Sequence, residues 1–103
     1  MSDPLPVEVS ALAASQIRAA ETWWRANRLK APNAIREELE RGSGLVAAQP
    51  GLGTRARNLT LPDVRRLHLA RIRYYLYYRV SQAPSQLEIL ALWHESRGGS
   101  PPI

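Results

Sequence analysis

Ile72-Arg73-Tyr74-Tyr75-Leu76-Tyr77-Tyr78-Arg79-Val80 holds all four tyrosines of the chain. Its β-branched and aromatic residues suit a pleated, half-buried surface, so it reads as a strand. Successive strand side chains point to opposite faces, which puts Tyr74, Leu76, Tyr78 and Val80 on one face and Arg73, Tyr75, Tyr77 and Arg79 on the other. One face is apolar and the other cationic. Gln86-Leu87-Glu88-Ile89-Leu90-Ala91-Leu92-Trp93-His94 is a second strand, reached through a turn from Ser81 to Ser85 in which Pro84 has no N–H to give a ladder. Ile89 and Leu90 are adjacent and both apolar, so this strand has no readable parity, and burial on both faces would give the same pattern. Upstream, Val64-Arg65-Arg66-Leu67-His68-Leu69 alternates as well, with Leu67 and Leu69 opposite Arg66 and His68. The expected unit is a three-stranded antiparallel meander.

Working outward, Val7-Glu8-Val9 is a short strand, and Ser10 is placed to cap a helix by accepting a backbone N–H. Ala13, Ile17, Ala20 and Trp24 recur at helical spacing and predict a helix over residues 11–29. Trp23 sits beside this stripe, where core and flank packing outweighs a binding platform. Lys30-Ala31-Pro32-Asn33 breaks the pattern. Ile35, Leu39, Gly42 and Val46 then carry a second helix with Glu37, Glu38 and Glu40 toward its start, where the helix dipole favours negative charge. Gly42 and Gly44 either weaken this helix or let another part of the chain come close. Pro50-Gly51-Leu52-Gly53 ends it, and a basic connection with Arg55 and Arg57 leads into the meander. The order gives an α+β fold: an N-terminal strand, a helical hairpin, then the meander, with the helices packed on its apolar face and the other face open. Residues 1–97 form one domain; residues 98–103, rich in glycine and proline, are expected to be a mobile tail.

The chain has 103 residues, 45% of them apolar and 22% charged, which suits one modest core and argues against global disorder. No apolar run is long enough to span a membrane, and residues 1–4 lack the features of a signal peptide, so a cytoplasmic location is expected. The absence of cysteine rules out disulfides and thiolate metal sites, and two histidines make a poor metal site. No metal or cofactor is implied. The net charge of +5 is one-sided: residues 1–53 hold six basic and six acidic side chains, residues 54–103 eight basic and three acidic. Thirteen of the fourteen basic residues are arginine, the better partner for bidentate contacts to carboxylate or phosphate. An acidic partner reached through the sheet follows from this placement, nucleic acid or an acidic protein segment. A face kept basic only for solubility is the plainer alternative.

The open face offers Arg66, His68, Arg73, Tyr75, Tyr77, Arg79, Glu88 and His94. On paper these could cleave RNA, with a base on the 2′-hydroxyl, cations on the phosphate and an acid for the leaving oxygen. His68 and His94 lie on different strands, however, and nothing in the sequence fixes their separation. The tyrosines interleaved with Arg73 and Arg79 could instead stack bases. No phosphate-binding glycine loop is present.

Several stretches together resemble the RelE/ParE superfamily of bacterial toxins. They are the strand opening into Ser10 with Ala13 and Ile17, Pro50-Gly51-Leu52-Gly53, Val64-Arg65-Arg66-Leu67, Tyr74-Tyr75-Leu76-Tyr77-Tyr78-Arg79-Val80, and Leu87 through Arg97. The resemblance spans about residues 7–97 and implies the toxin of a type II toxin–antitoxin pair with a ParD- or RelB-like antitoxin as partner. RelE-like members cut messenger RNA on the ribosome. Here Arg66 and His68 occupy positions where such enzymes tend to carry lysines, Tyr75 stands where they place an arginine, Glu95 lies near another usual arginine, and no tyrosine follows His94. ParE-like members poison DNA gyrase, and the Tyr-Arg-Val and Leu-Trp-His-Glu-Ser-Arg wording is closer to theirs. The resemblance therefore implies a non-enzymatic gyrase inhibitor with no catalytic residue, and charge and strand parity give Arg55, Arg57, Arg66, His68, Arg73, Tyr75, Tyr77, Arg79 and Arg97 as its partner-binding residues. A ribosome-dependent endonuclease using Arg66, His68 and His94 is the alternative.

Overall fold

A computed structural model describes residues 3–103. Its elements are β1 (Val7–Val9), α1 (Ala11–Asn27), α2 (Ala34–Ala48), a 3-10 turn at Pro50–Leu52, β2 (Thr54–Arg55), β3 (Arg65–Leu69), β4 (Tyr74–Gln82) and β5 (Ser85–His94). They form a five-stranded sheet in the order β1-β5-β4-β3-β2. β1 lies parallel to β5 and the other pairs are antiparallel. The expected meander is thus the centre of the sheet. β1 and β2, three and two residues long, extend it on either side, and strands so short carry too little alternation to announce their pairing.

The two helices cover one sheet face, as the apolar stripe requires. Ser10 caps α1 by accepting the Ala13 N–H at 3.1 Å, and its own N–H donates to the Ile89 carbonyl at 3.0 Å, so the helix start is anchored to β5. Beyond the end of β1, the Leu92 N–H donates to Gln16 Oε1 at 2.9 Å. A helix side chain there satisfies a strand edge left uncovered by β1. Under the helices lie Leu69, Ile72, Leu76, Tyr78, Leu87, Ile89 and Leu92, packed with Ala13, Ala20, Ile35 and Val46. α2 runs unbroken through Gly42 and Gly44. A Cβ on Gly42 would stand 2.8 Å from a Leu69 methyl, so this glycine lets α2 settle onto β3.

Two features of the central hairpin depart from simple alternation. Arg73 does not begin the strand: its φ is 65°, and it closes a turn in which the N–H groups of Ile72 and Arg73 donate to the Leu69 carbonyl at 3.2 and 2.9 Å. In β5 the register jumps, with Tyr77 opposite Ala91 and Tyr78 opposite Ile89. Leu90 is the extra residue of a β-bulge. The bulge lets Leu92, Ile89 and Leu87 all face the helices while Leu90, Ala91 and Trp93 face away, which is why adjacent Ile89 and Leu90 are both apolar.

The far face is only partly open, contrary to expectation. Val64, Tyr77, Leu90, Ala91 and Trp93 form a second buried cluster beneath Ala56, Leu59, Leu61 and Ile103. The C-terminal residues help to close it. Pro101 is buried, the Thr60 N–H donates to the Ile103 carbonyl at 3.1 Å, and the Trp93 indole N–H donates to the Arg97 carbonyl at 3.0 Å. Tyr77, placed on a partner-binding face by parity, is 2% exposed. It faces that side as its parity says, but irregular chain lies over it.

Candidate functional site

The uncovered part of the far face is built on β3 and β4, where Arg66 pairs with Tyr77 and His68 with Tyr75. Their shared parity brings Arg66, His68, Tyr75 and Tyr77 onto one surface. The Arg66 guanidinium lies 4.2 Å from the centre of the Tyr75 ring and donates to the Tyr77 hydroxyl at 3.3 Å. The His68 ring is 4.9 Å from Tyr75. His68 Nε2 donates to Glu95 at 2.7 Å, and Arg73 Nε donates to the other oxygen of the same carboxylate at 2.8 Å. These two hydrogen bonds, from His68 first, hold the Glu95 carboxyl below the usual carboxylate range. Glu95 therefore joins His68 to Arg73, a role that its place after the last strand did not signal.

Arg55 ends β2, and Arg57 follows in the chain that leaves it. With Asn58, Arg66, Tyr77 and Ser100 they line a cavity of about 290 Å³. Arg97 lies over the Trp93 ring at 4.0 Å, at the end of the sheet, where it also reaches the helix-side recess of Tyr74 and His94. Arg79 stands apart beside Glu88, Nε to carboxylate 3.4 Å, too poorly aligned for a hydrogen bond, so its buried Nε lacks a partner. His94 is on the helix side. It pairs with Tyr74 across the ladder, its ring meets the Tyr74 ring edge to face at 4.9 Å, and it shares a recess with Gln16, Ala19 and Ala20 of α1. Its Nδ1 accepts the Ser96 N–H at 3.1 Å. The trio Arg66, His68 and His94 is therefore divided between the two faces of the sheet. Among the described residues no cluster of His, Asp and Glu side chains is suited to hold a metal ion.

Two anchors keep this surface in shape. The Tyr78 hydroxyl donates to the Pro50 carbonyl at 2.7 Å and accepts the Gly53 N–H at 2.9 Å, so it pins the end of the helical hairpin to the sheet. A Cβ at Gly53 would come within 2.6 Å of the Arg66 carbonyl. The close approach that β2 makes to β3 thus requires glycine. Burial pushes the Tyr78 hydroxyl up in pKa, against the hydrogen bond from Gly53. On the helix side Glu38 is nearly buried; its carboxyl is held low by the hydrogen bond from Arg41, with Arg71 also close.

A second surface is apolar. Val7 and Val9 of β1 are each 45% exposed. They line a recess of about 130 Å³ with Ile17, Leu39, Leu76 and Ile89, next to the free outer edge of β1.

The model of the family described as "ParE toxin of type II toxin-antitoxin system, parDE" matches residues 7–98. Among solved structures, a chain of the chromosomal ParDE TA system from P. aeruginosa is similar. Its TM-score is 0.66 at 22% identity, over 90% of this chain and 98% of that one, a likeness of fold. No curated protein matches the chain.

Proposed function

The chain belongs to the ParE toxin family of type II toxin–antitoxin systems, and from that footing we propose that it arrests growth by binding and inhibiting DNA gyrase and that a cognate antitoxin neutralises it. The division of the histidines supports binding over catalysis. RNA cleavage would need a base and an acid on either side of one phosphate. His68 and His94 face opposite sides of the sheet, and His68 Nε2 is already engaged by Glu95. The antitoxin occupies the helix side in this reading: an extended segment adds to the free edge of β1 and sets an apolar side chain into the recess between Val7, Val9, Ile17 and Leu39.

Expression without antitoxin should stop growth, induce the DNA-damage response and leave transcripts intact, and the purified chain should block supercoiling by gyrase. Harmless overproduction of soluble protein would sink the toxin reading. Cleavage of messenger RNA in translating ribosomes, lost in Arg66→Ala or His68→Ala, would replace gyrase with the ribosome as target.

A further inference from the structure

The cavity of Arg55, Arg57 and Arg66, residues expected to bind a partner, is assigned no particular ligand by that reading. Elsewhere Arg25, Arg36, Arg41, Arg71, Arg73 and Arg79 each stand within 4.0 Å of a carboxylate, and among the described residues Arg18, Arg28, Arg65 and Arg97 are scattered without one. Among the described residues the three that meet at the cavity form no ion pair. Asp63 lines only an adjoining recess with Arg55 and Arg57 and pairs with neither. Three arginines that line one cavity, with Asp63 alone nearby, repel one another, and an anion that enters relieves the repulsion.

We propose that this cavity seats a phosphate group of a nucleic-acid backbone, bound without reading the bases. A single side-chain carboxylate is satisfied by one bidentate arginine, whereas a phosphodiester chain offers several oxygens and successive charges. Neutral donors complete the site. Asn58 and Ser100 line it, and the Tyr77 hydroxyl, already accepting from Arg66, keeps its own proton to donate. Base stacking is not offered: the Tyr75 ring is covered by Arg66, the Trp93 ring by Arg97, and Tyr77 is buried. What remains is contact with the backbone, independent of sequence.

The test is binding of the purified full chain to a labelled DNA duplex and to a single-stranded RNA of equal length, from about 50 to 200 mM salt. Both should bind with a linear log–log salt dependence. Losing the one phosphate contact lowers the slope by about 0.9 on duplex, so Arg55→Gln/Arg57→Gln/Arg66→Gln should lower it by about that amount. The charge-matched Arg18→Gln/Arg28→Gln/Lys30→Gln on the helix side should leave it nearly unchanged. Arg57 is exposed, so Arg57→Gln alone, with a slope lowered by part of that amount and weaker binding at each salt concentration, answers the question even where the triple variant fails to fold. Tighter duplex binding assigns the phosphate to DNA and tighter single-strand binding to RNA; either upholds the site. Failure to bind, or equal loss in both triple variants, overturns it. Displacement of the duplex by polyglutamate at equal charge overturns it in favour of an acidic protein segment. None of these outcomes bears on gyrase inhibition, which is read separately by supercoiling.

Discussion

The two faces of the central sheet are buried by different means. On the helix side Leu69, Leu76, Tyr78, Ile89 and Leu92 lie under a regular hairpin. On the far side Tyr77, Leu90, Ala91 and Trp93 lie under loop and C-terminal residues, with Ala56, Leu59, Leu61 and Ile103 as the cover. A helical hairpin shields the centre of its face and leaves open only a recess at β1, whereas irregular chain shields less and leaves Arg66, His68 and Tyr75 at the margin. The first face carries stability, and the second divides its residues between a small core and a charged rim.

The sharpest way to break this contrast is to truncate one residue on each face. Leu76→Ala should cost about 2–5 kcal/mol, since the side chain is fully buried between helices and sheet. Arg66→Ala should cost less than about 1 kcal/mol, because a half-exposed cation over a ring contributes little. Thermal melts decide: a larger loss for Arg66→Ala would mean that the rim, and not the helix face, holds the domain together.

The helix face was legible in the sequence because periodicity is a local signal. Alternation put Leu69, Leu76 and Tyr78 on the side where they are buried and Leu67 beside them, and helical spacing identified Ala13, Ile17, Ala20 and Trp24. The far face was misread wherever burial depends on contacts between distant parts of the chain. Tyr77 has the parity of an open surface, and nothing near it announces that Leu59, Leu61 and Ile103 will fold over it. The bulge at Leu90 was present as an unreadable pair of apolar neighbours, because an extra residue erases the period that would reveal it. Arg55, Arg57 and Arg66 could be named from charge alone, but their meeting with Asn58 and Ser100 could not. Glu95 shows the same limit, since its partners His68 and Arg73 lie on β3, beyond β4, and in the turn between those strands.

A smaller effect tests the cover of the far face. Ending the chain after Arg97 removes buried Pro101 and the Ile103 contact, a loss of about 1–3 kcal/mol for roughly one apolar side chain's worth of burial. The melt should fall, by less than for Leu76→Ala. A truncated chain that melts with the full one would show that residues 98–103 are mobile and that the loop alone covers Tyr77.

The smallest effect compares the two faces through their depressed carboxyls. Glu38 on the helix side is held low first by the hydrogen bond from Arg41, and Glu95 at the rim first by that from His68. A carboxyl whose folded value lies below its unfolded value, about 4.3 for glutamate, stabilises the fold above that value and loses the contribution as pH falls through the folded one. Both groups should therefore steepen the loss of stability below about pH 4.5, and neither should matter to its slope near neutrality. Glu38→Gln and Glu95→Gln should each flatten the acid limb of a melting-temperature profile. Glu95→Gln should flatten it less, because its solvent-screened pairs with Arg73 and His68 are weaker than the nearly buried carboxylate between Arg41 and Arg71. Should Glu95→Gln instead abolish the acid limb while Glu38→Gln leaves it intact, the rim would be the better-anchored side, and the division between a stable face and a binding face would have to be reversed.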